Sequence, residues 1–218
     1  METSPSIFND VLGPVMRGPS SSHCAAALRI GRICRDIMNG DILHVRVEYD
    51  PNGSLATTHD GQGSDMGLFG GLLGWEAYDE RLQDAAQYLE QAGIAVEIVI
   101  TDIQADHPNT YKLILSNKET THTVIAISTG GGMIEVIALD GRPLSMKGDY
   151  YELLLKANDL KELSVFLNKY IPHEEIIFPD NEEGFLQIKM QKALDADQIE
   201  LLKAHQLINS ICLIDPVL

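Results

Sequence analysis

Four short segments hold residue types that can bind and activate a small polar molecule. The densest is Gly18-Pro19-Ser20-Ser21-Ser22-His23, which runs directly into a helix-forming stretch. The first turn of a helix exposes backbone N–H groups with no partner inside the helix and carries partial positive charge, which suits a carboxylate or a phosphate. Ser20, Ser21 and Ser22 add adaptable hydroxyl donors. His23 is in helical register with Ala27, Ile30, Cys34 and Ile37, so it stands at the top of the buried stripe, beside the anion position. The same residues also read as an ordinary serine cap with a core histidine.

The second segment, Thr57-Thr58-His59-Asp60-Gly61-Gln62-Gly63-Ser64-Asp65, follows a strand and precedes a helix. Its two glycines allow a tight turn or close approach of backbone to a ligand, and Ser64 or Asp65 is placed to cap the helix. It equally reads as a structural turn. Asp106-His107-Pro108-Asn109-Thr110 is a polar turn feeding a strand, and Ser128-Thr129-Gly130-Gly131-Gly132 is a bend between two strands. Neither helix nor Gly-Lys-Ser/Thr follows that bend, so it is not a phosphate loop of the nucleotide-binding kind.

The elements that must position these segments fall in two parts, with a change of periodicity near residue 150. Before it, the pattern predicts helices over Ser6–Leu12 and Ser22–Met38, a strand over Ile42–Glu48, and helix over Asp65–Tyr88 broken around Gly74 and Trp75. Strands rich in Ile, Val and Thr follow over Ala95–Ile100, Thr110–Leu115, Thr121–Ile127 and Met133–Leu139. After it, the order is strand (Tyr150–Leu155), helix capped by Asp159, a hairpin of Glu175–Phe178 and Phe185–Met190 around a polar turn, helix capped by Asp195, and a final strand over Ile208–Ile214. The expected class is therefore α+β: a mixed domain over residues 1–150, then a βαββαβ, ferredoxin-like module over 151–218. The module resembles an ACT-type small-molecule regulatory domain. The glycine usual in that family's ligand loop is missing from Lys156-Ala157-Asn158-Asp159, which favours a structural or dimerising role.

Composition narrows the classes. The 218 residues carry 32 acidic and 16 basic side chains, a net charge of −16. Nucleic-acid binding needs clustered Lys and Arg, and an anionic membrane surface would repel such a chain. No apolar run approaches a membrane span, and Met1–Asp10 lacks the features of a secretory signal, so the expected compartment is the cytoplasm. Cys24, Cys34 and Cys212 are odd in number and widely spaced. Ten helical positions separate the first two by ~15 Å. Buried, inert thiols are expected, with no metal site in this chain.

Taken in order, the segments resemble a known family. Gly13-Pro14-Val15-Met16-Arg17-Gly18-Pro19-Ser20-Ser21-Ser22-His23 looks like the signature of the iron–sulfur L-serine dehydratase beta domain. The family's Gly-His-Gly-Thr-Asp segment stands here as Gly61-Gln62-Gly63-Ser64-Asp65, followed by a matching Gly70-Gly71-Leu72-Leu73-Gly74. His107–Thr110, Ser128–Gly132 and Gly148-Asp149-Tyr150 also fit.

The resemblance implies a beta subunit that converts L-serine to pyruvate and ammonia with an alpha chain carrying a [4Fe–4S] cluster. That cluster is not ligated here, and the assembly would be homo- or hetero-oligomeric. It implies Ser20, Ser21 and Ser22 as carboxylate binders, with Gln62, Ser64 and Asn109 lining the substrate, and His23 and Asp65 as catalytic groups. One departure matters. Gln62 replaces the family's loop histidine, and an amide is no base near neutral pH. His59, three residues upstream, could replace it only if the loop bends differently. The same framework serves a non-catalytic serine-binding module in some D-3-phosphoglycerate dehydrogenases, which is the alternative reading.

Overall fold

The computed structural model describes residues 18–178 and 184–217. The helix expected over Ser6–Leu12 and the turn before Gly184 lie outside the described residues.

Strand β1 (His44–Tyr49) pairs in parallel with β2 (Ala95–Ile100) on one side and antiparallel with β3 (Thr110–Ser116) on the other. From β3 the sheet continues antiparallel through β4 (Thr121–Gly130), β5 (Met133–Leu139) and β6 (Arg142–Met146), giving the order β2-β1-β3-β4-β5-β6. The period-2 alternation aims Val45, Val47, Leu113, Leu115, Val124 and Val136 at one face, where all are buried. Strand β6 was not anticipated. It carries Pro143, which a sheet tolerates at its edge, and the edge is where β6 lies.

Helix α1 (Ser21–Ile37) covers that face together with α3 (Ser64–Leu72); a single turn, α2 (Leu55–Thr58), precedes α3. Glycines allow an unusually close approach of the two long helices. A Cβ on Gly67 would overlap the Cys24 carbonyl oxygen, and one on Gly71 the Leu28 carbonyl oxygen. Cys24 faces Gly67 and Leu28 faces Gly71, so the helices run parallel and begin at the same end. The expected break at Gly74 and Trp75 is longer than foreseen. The amide of Gly74, at φ 78°, donates to Gly71, and the chain then runs irregularly to a 3-10 turn at Glu80–Asp84 and α4 (Ala85–Gln91).

The second sheet holds β7 (Tyr151–Ala157), β8 (Glu175–Ile177), β9 (Phe185–Met190) and β10 (Ile208–Ile214), all antiparallel, in the order β10-β7-β9-β8. Helices α5 (Leu160–Tyr170) and α6 (Ala196–Lys203) cover one face, forming a core with Leu153, Leu155, Leu186 and Ile188. The other face turns Leu154, Phe185 and Ile214 into the core under α1. Both faces of β7 are thus buried, which explains its unbroken Leu153-Leu154-Leu155 run. The observed order is βαββαβ, as the periodicity indicated. No helix among the described residues is long and apolar enough to cross a membrane.

Candidate functional site

The four polar segments meet at one end of the first sheet, where β1 ends, β3 begins and α1 and α3 start. Ser20 occupies the N-cap position of α1 in an extended conformation, and its carbonyl accepts the Cys24 amide at 3.0 Å. Its side chain does not cap the helix. Ser20 Oγ instead lies 2.8 Å from His23 Nδ1 and 3.5 Å from Ser22 Oγ. Ser21 is exposed, and Ser22 and His23 are half-buried. Among the described residues no side chain caps the first-turn amides of α1, and three hydroxyls stand around them.

Helix α3 starts differently. Its N-cap is Gly63, at φ 79°, and not Ser64 or Asp65 as expected. The His59 carbonyl closes this helix by accepting the Ser64 amide at 2.8 Å and the Asp65 amide at 3.2 Å. A side chain on Gly63 would meet Cys24 Sγ, Pro19 and Met66, so the glycine lets the second segment seat against the first. The contact continues at Gln62, whose carbonyl oxygen lies 3.8 Å from Cys24 Sγ.

That turn brings His59 onto Asp65. Nδ1 of His59 is 2.6 Å from Asp65 Oδ2, and the Tyr49 hydroxyl donates to Asp65 Oδ1 at 3.4 Å. The Tyr49 ring packs on the His59 imidazole at 5.1 Å between centroids, and Tyr111 meets Tyr49 edge-on at 5.4 Å. Burial pushes the Asp65 carboxyl up from its ordinary range, and the hydrogen bond from His59 pulls it back. Burial also holds the Tyr49 phenol well above its usual value and pushes Tyr111 up to about 12, so both stay protonated. Ser64 Oγ is fully buried; the Tyr111 hydroxyl faces it without reaching hydrogen-bond geometry.

The remaining two segments close the ring. Asp50, at the end of β1, accepts the amides of Asn52, Ile103 and Ala105, which fixes the path into His107–Thr110. Ser54 Oγ donates to Asn109 Oδ1, and the Asn109 carbonyl accepts the Ser128 amide at 3.0 Å. Arg29 of α1 donates to the Gly132 carbonyl at 2.8 Å, and Gly132 sits against Ala25 so closely that a Cβ there would crowd it.

The expected site residues fall into three linked groups. Ser20, Ser22 and His23 touch directly, with Ser21 beside them. Gln62, Ser64 and Asp65 join them through Cys24 and Gly63. Asn109 is connected through Ser54, Ser128 and the bend over α1. Sequence reasoning missed Tyr49 and Tyr111, which read as core, and Arg29, which reads as a surface charge on a helix. It noted His59 but not its partner. A cavity of about 500 Å³ lies on the second sheet's helices between Pro172–Glu174 and Gln191–Asp195, and carries none of these residues.

The chain can also be set beside known proteins. The family model described as "Serine dehydratase beta chain" matches residues 11–104, which include the first two segments. A protein of Bacillus subtilis (strain 168) named "Probable L-serine dehydratase, beta chain" is 40% identical over 154 residues, 71% of this chain and 69% of that one. The "L-serine dehydratase, beta chain" of Peptoniphilus asaccharolyticus is 32% identical over 169 residues, 76% of this chain and 75% of that one.

Proposed function

The chain belongs to the serine dehydratase beta-chain family, and we propose that it binds L-serine as the beta subunit of an L-serine dehydratase, which with an alpha chain forms pyruvate and ammonia. The observation that carries this reading is the start of α1, where the N-cap serine does not cap the helix. The first-turn amides, uncapped among the described residues, and the Ser20, Ser21 and Ser22 hydroxyls suit the substrate carboxylate, and each hydrogen bond to such a charged group contributes ~1.5–3 kcal/mol at best. His23, tied to Ser20, orients the substrate or moves protons beside it. Gln62, Ser64 and Asn109 line the same end, and Asp65 serves the chemistry through its histidine partner.

Elimination of water from serine requires help for a poor leaving group and a base for a weakly acidic α-proton. The described residues do not suit the first task. A [4Fe–4S] cluster takes four thiolates, whereas the cysteines here are Cys24, Cys34 and Cys212, the first two ten positions apart on α1. Among the described residues no three His, Cys, Asp or Glu side chains gather to hold a metal. We assign the Lewis acid, a [4Fe–4S] cluster, to the alpha chain, where it would polarise the hydroxyl. Residues 151–218 we assign to an ACT-like, ferredoxin-like module that supports assembly, following the domain over 1–150, in a soluble cytoplasmic enzyme.

The test is reconstitution. This chain mixed with its alpha chain without oxygen should release pyruvate from L-serine, and His23→Ala should lower kcat/KM at least tenfold while the protein stays folded. No pyruvate from the wild-type mixture, together with no heat of L-serine binding, would remove the proposal.

A further inference from the structure

We propose that His59, held by Asp65, is the proton acceptor of this site and takes over the task of the histidine that Gln62 replaces. The inference rests on the dehydratase reading above and adds to it the identity of the base.

The geometry argues for it in three steps. First, the turn from His59 to Asp65 is closed on itself. The His59 amide donates to Leu55, its carbonyl accepts the Ser64 and Asp65 amides, and its imidazole reaches the Asp65 carboxylate. Backbone and side chain of one residue thus lock the loop that carries Gln62. Second, a carboxylate on Nδ1 selects the tautomer with its proton there. The lone pair is then on Nε2, the correct state for accepting a proton. Tyr49 holds the ring from the side, and its hydroxyl keeps the Asp65 carboxylate aimed. Third, the imidazole is about one-fifth exposed, so Nε2 is not sealed in the core. The turn abuts the start of α1 through Gly63 and Cys24. It therefore borders the helix start whose amides would hold the carboxylate.

The Cα–H bond of serine breaks, and the proton goes to His59 Nε2. The electron pair of that bond forms the Cα=Cβ bond as hydroxide leaves Cβ. The proton and the hydroxide together make the water that is lost.

The experiment uses the complex of this chain with its alpha chain. His59→Ala should lower kcat at least a hundredfold, within the range for loss of general base catalysis, with the KM for serine changed less than threefold. Added imidazole should restore at least a tenth of the wild-type turnover, and the low-pH limb of the restored activity should follow the pKa of the imidazole derivative supplied. A structural role would not respond to imidazole. Asp65→Asn is the second variant. Its amide offers an N–H to Nδ1, which forces the ring proton onto Nε2, and kcat should fall at least thirtyfold with the melting temperature held within a few degrees. Wild-type turnover with full activity in His59→Ala overturns the assignment and leaves the dehydratase reading intact, as does a loss that imidazole does not touch together with an active Asp65→Asn. A wild-type complex with no activity overturns both.

Discussion

Helices α1 and α6 begin with the same physical need and meet it in opposite ways. At α6 the Asp195 carboxylate accepts the Gln198 amide at 2.8 Å, and the Gln198 side chain accepts the Asp195 amide at 2.9 Å. This capping box satisfies two donors that the helix cannot satisfy itself. Helix α5 does the same with Asp159, which accepts from Lys161 and Glu162 at 3.0 Å. At α1 the capping residue is present and its hydroxyl is turned to His23 instead. The second sheet's helices are closed for stability. Among the described residues no side chain caps the first sheet's long helix, and around its start stand the segments whose residue types suggested chemistry.

If that contrast is correct, changes at the two kinds of helix start should part stability from activity. The largest effects belong to His59 and His23, already described, and fall on turnover. Next comes the seat that brings α1 and α3 together. A Cβ on Gly71 would run into the Leu28 carbonyl, and the neighbouring atoms are backbone, which cannot rotate away. Gly71→Ala should destabilise the fold by ~1–3 kcal/mol. It should also lower serine affinity, because the shift separates the two helix starts. Denaturant unfolding and serine titration on the same variant would show whether the two losses travel together. A destabilised variant with unchanged serine binding would mean that the α1–α3 seat does not shape the site.

Most of this frame was legible in the sequence. The helix over Ser22–Met38 is observed as Ser21–Ile37, and the caps at Asp159 and Asp195 are present. These features are local, set by periodicity and by side chains reaching their own backbone. What escaped depends on contacts distant in sequence or on backbone bends. The His59–Asp65 pair exists because Gly63 takes a left-handed conformation that folds six residues back on themselves. Arg29 reads as a surface charge on a helix, yet it is 8% exposed and ties down Gly132, 103 residues away. Tyr49 and Tyr111 have the composition of core residues and are core residues. Only their neighbours make them the wall of the candidate site.

The junction between the two sheets gives a pH signature. Glu152 is 1% exposed, and burial pushes its carboxyl up to about 7. Gln187 donates to one carboxylate oxygen at 3.0 Å and to the Ser145 carbonyl of β6 at 2.8 Å, while the other Glu152 oxygen is buried with no partner among the described residues. Lys189 offsets the burial in part, and Asp149 and Glu175 add to it. Between the unfolded value of ~4.3 and about 7, the folded chain keeps a proton that the unfolded chain has lost. Stability must therefore fall as pH rises through that window and level off above it, with this group contributing on the order of 2–4 kcal/mol of the change. Glu152→Gln should flatten the slope. Melting curves from pH 5 to 8 on both proteins would test it, and equal slopes would show that Glu152 does not govern the junction.

The smallest effect gives the sharpest test of the comparison. Asp195→Ala removes the carboxylate that closes α6 and strands the Gln198 amide. Loss of such a cap costs ~1 kcal/mol, with a range of about 0.5–2. Because α6 packs on the second sheet, away from the α1 opening, turnover of serine by the complex should be unchanged. Ser20→Ala is its mirror. No capping bond is lost there, so stability should move by less than ~0.5 kcal/mol. What goes is the partner of His23 and, on the proposed function, a hydroxyl for the substrate, so serine KM should rise severalfold. Paired melting and kinetic measurements on the two variants should therefore cross: stability falls in one, serine handling in the other. If Ser20→Ala costs as much stability as Asp195→Ala and leaves KM alone, the start of α1 is a cap like the others, and the opening has no special role.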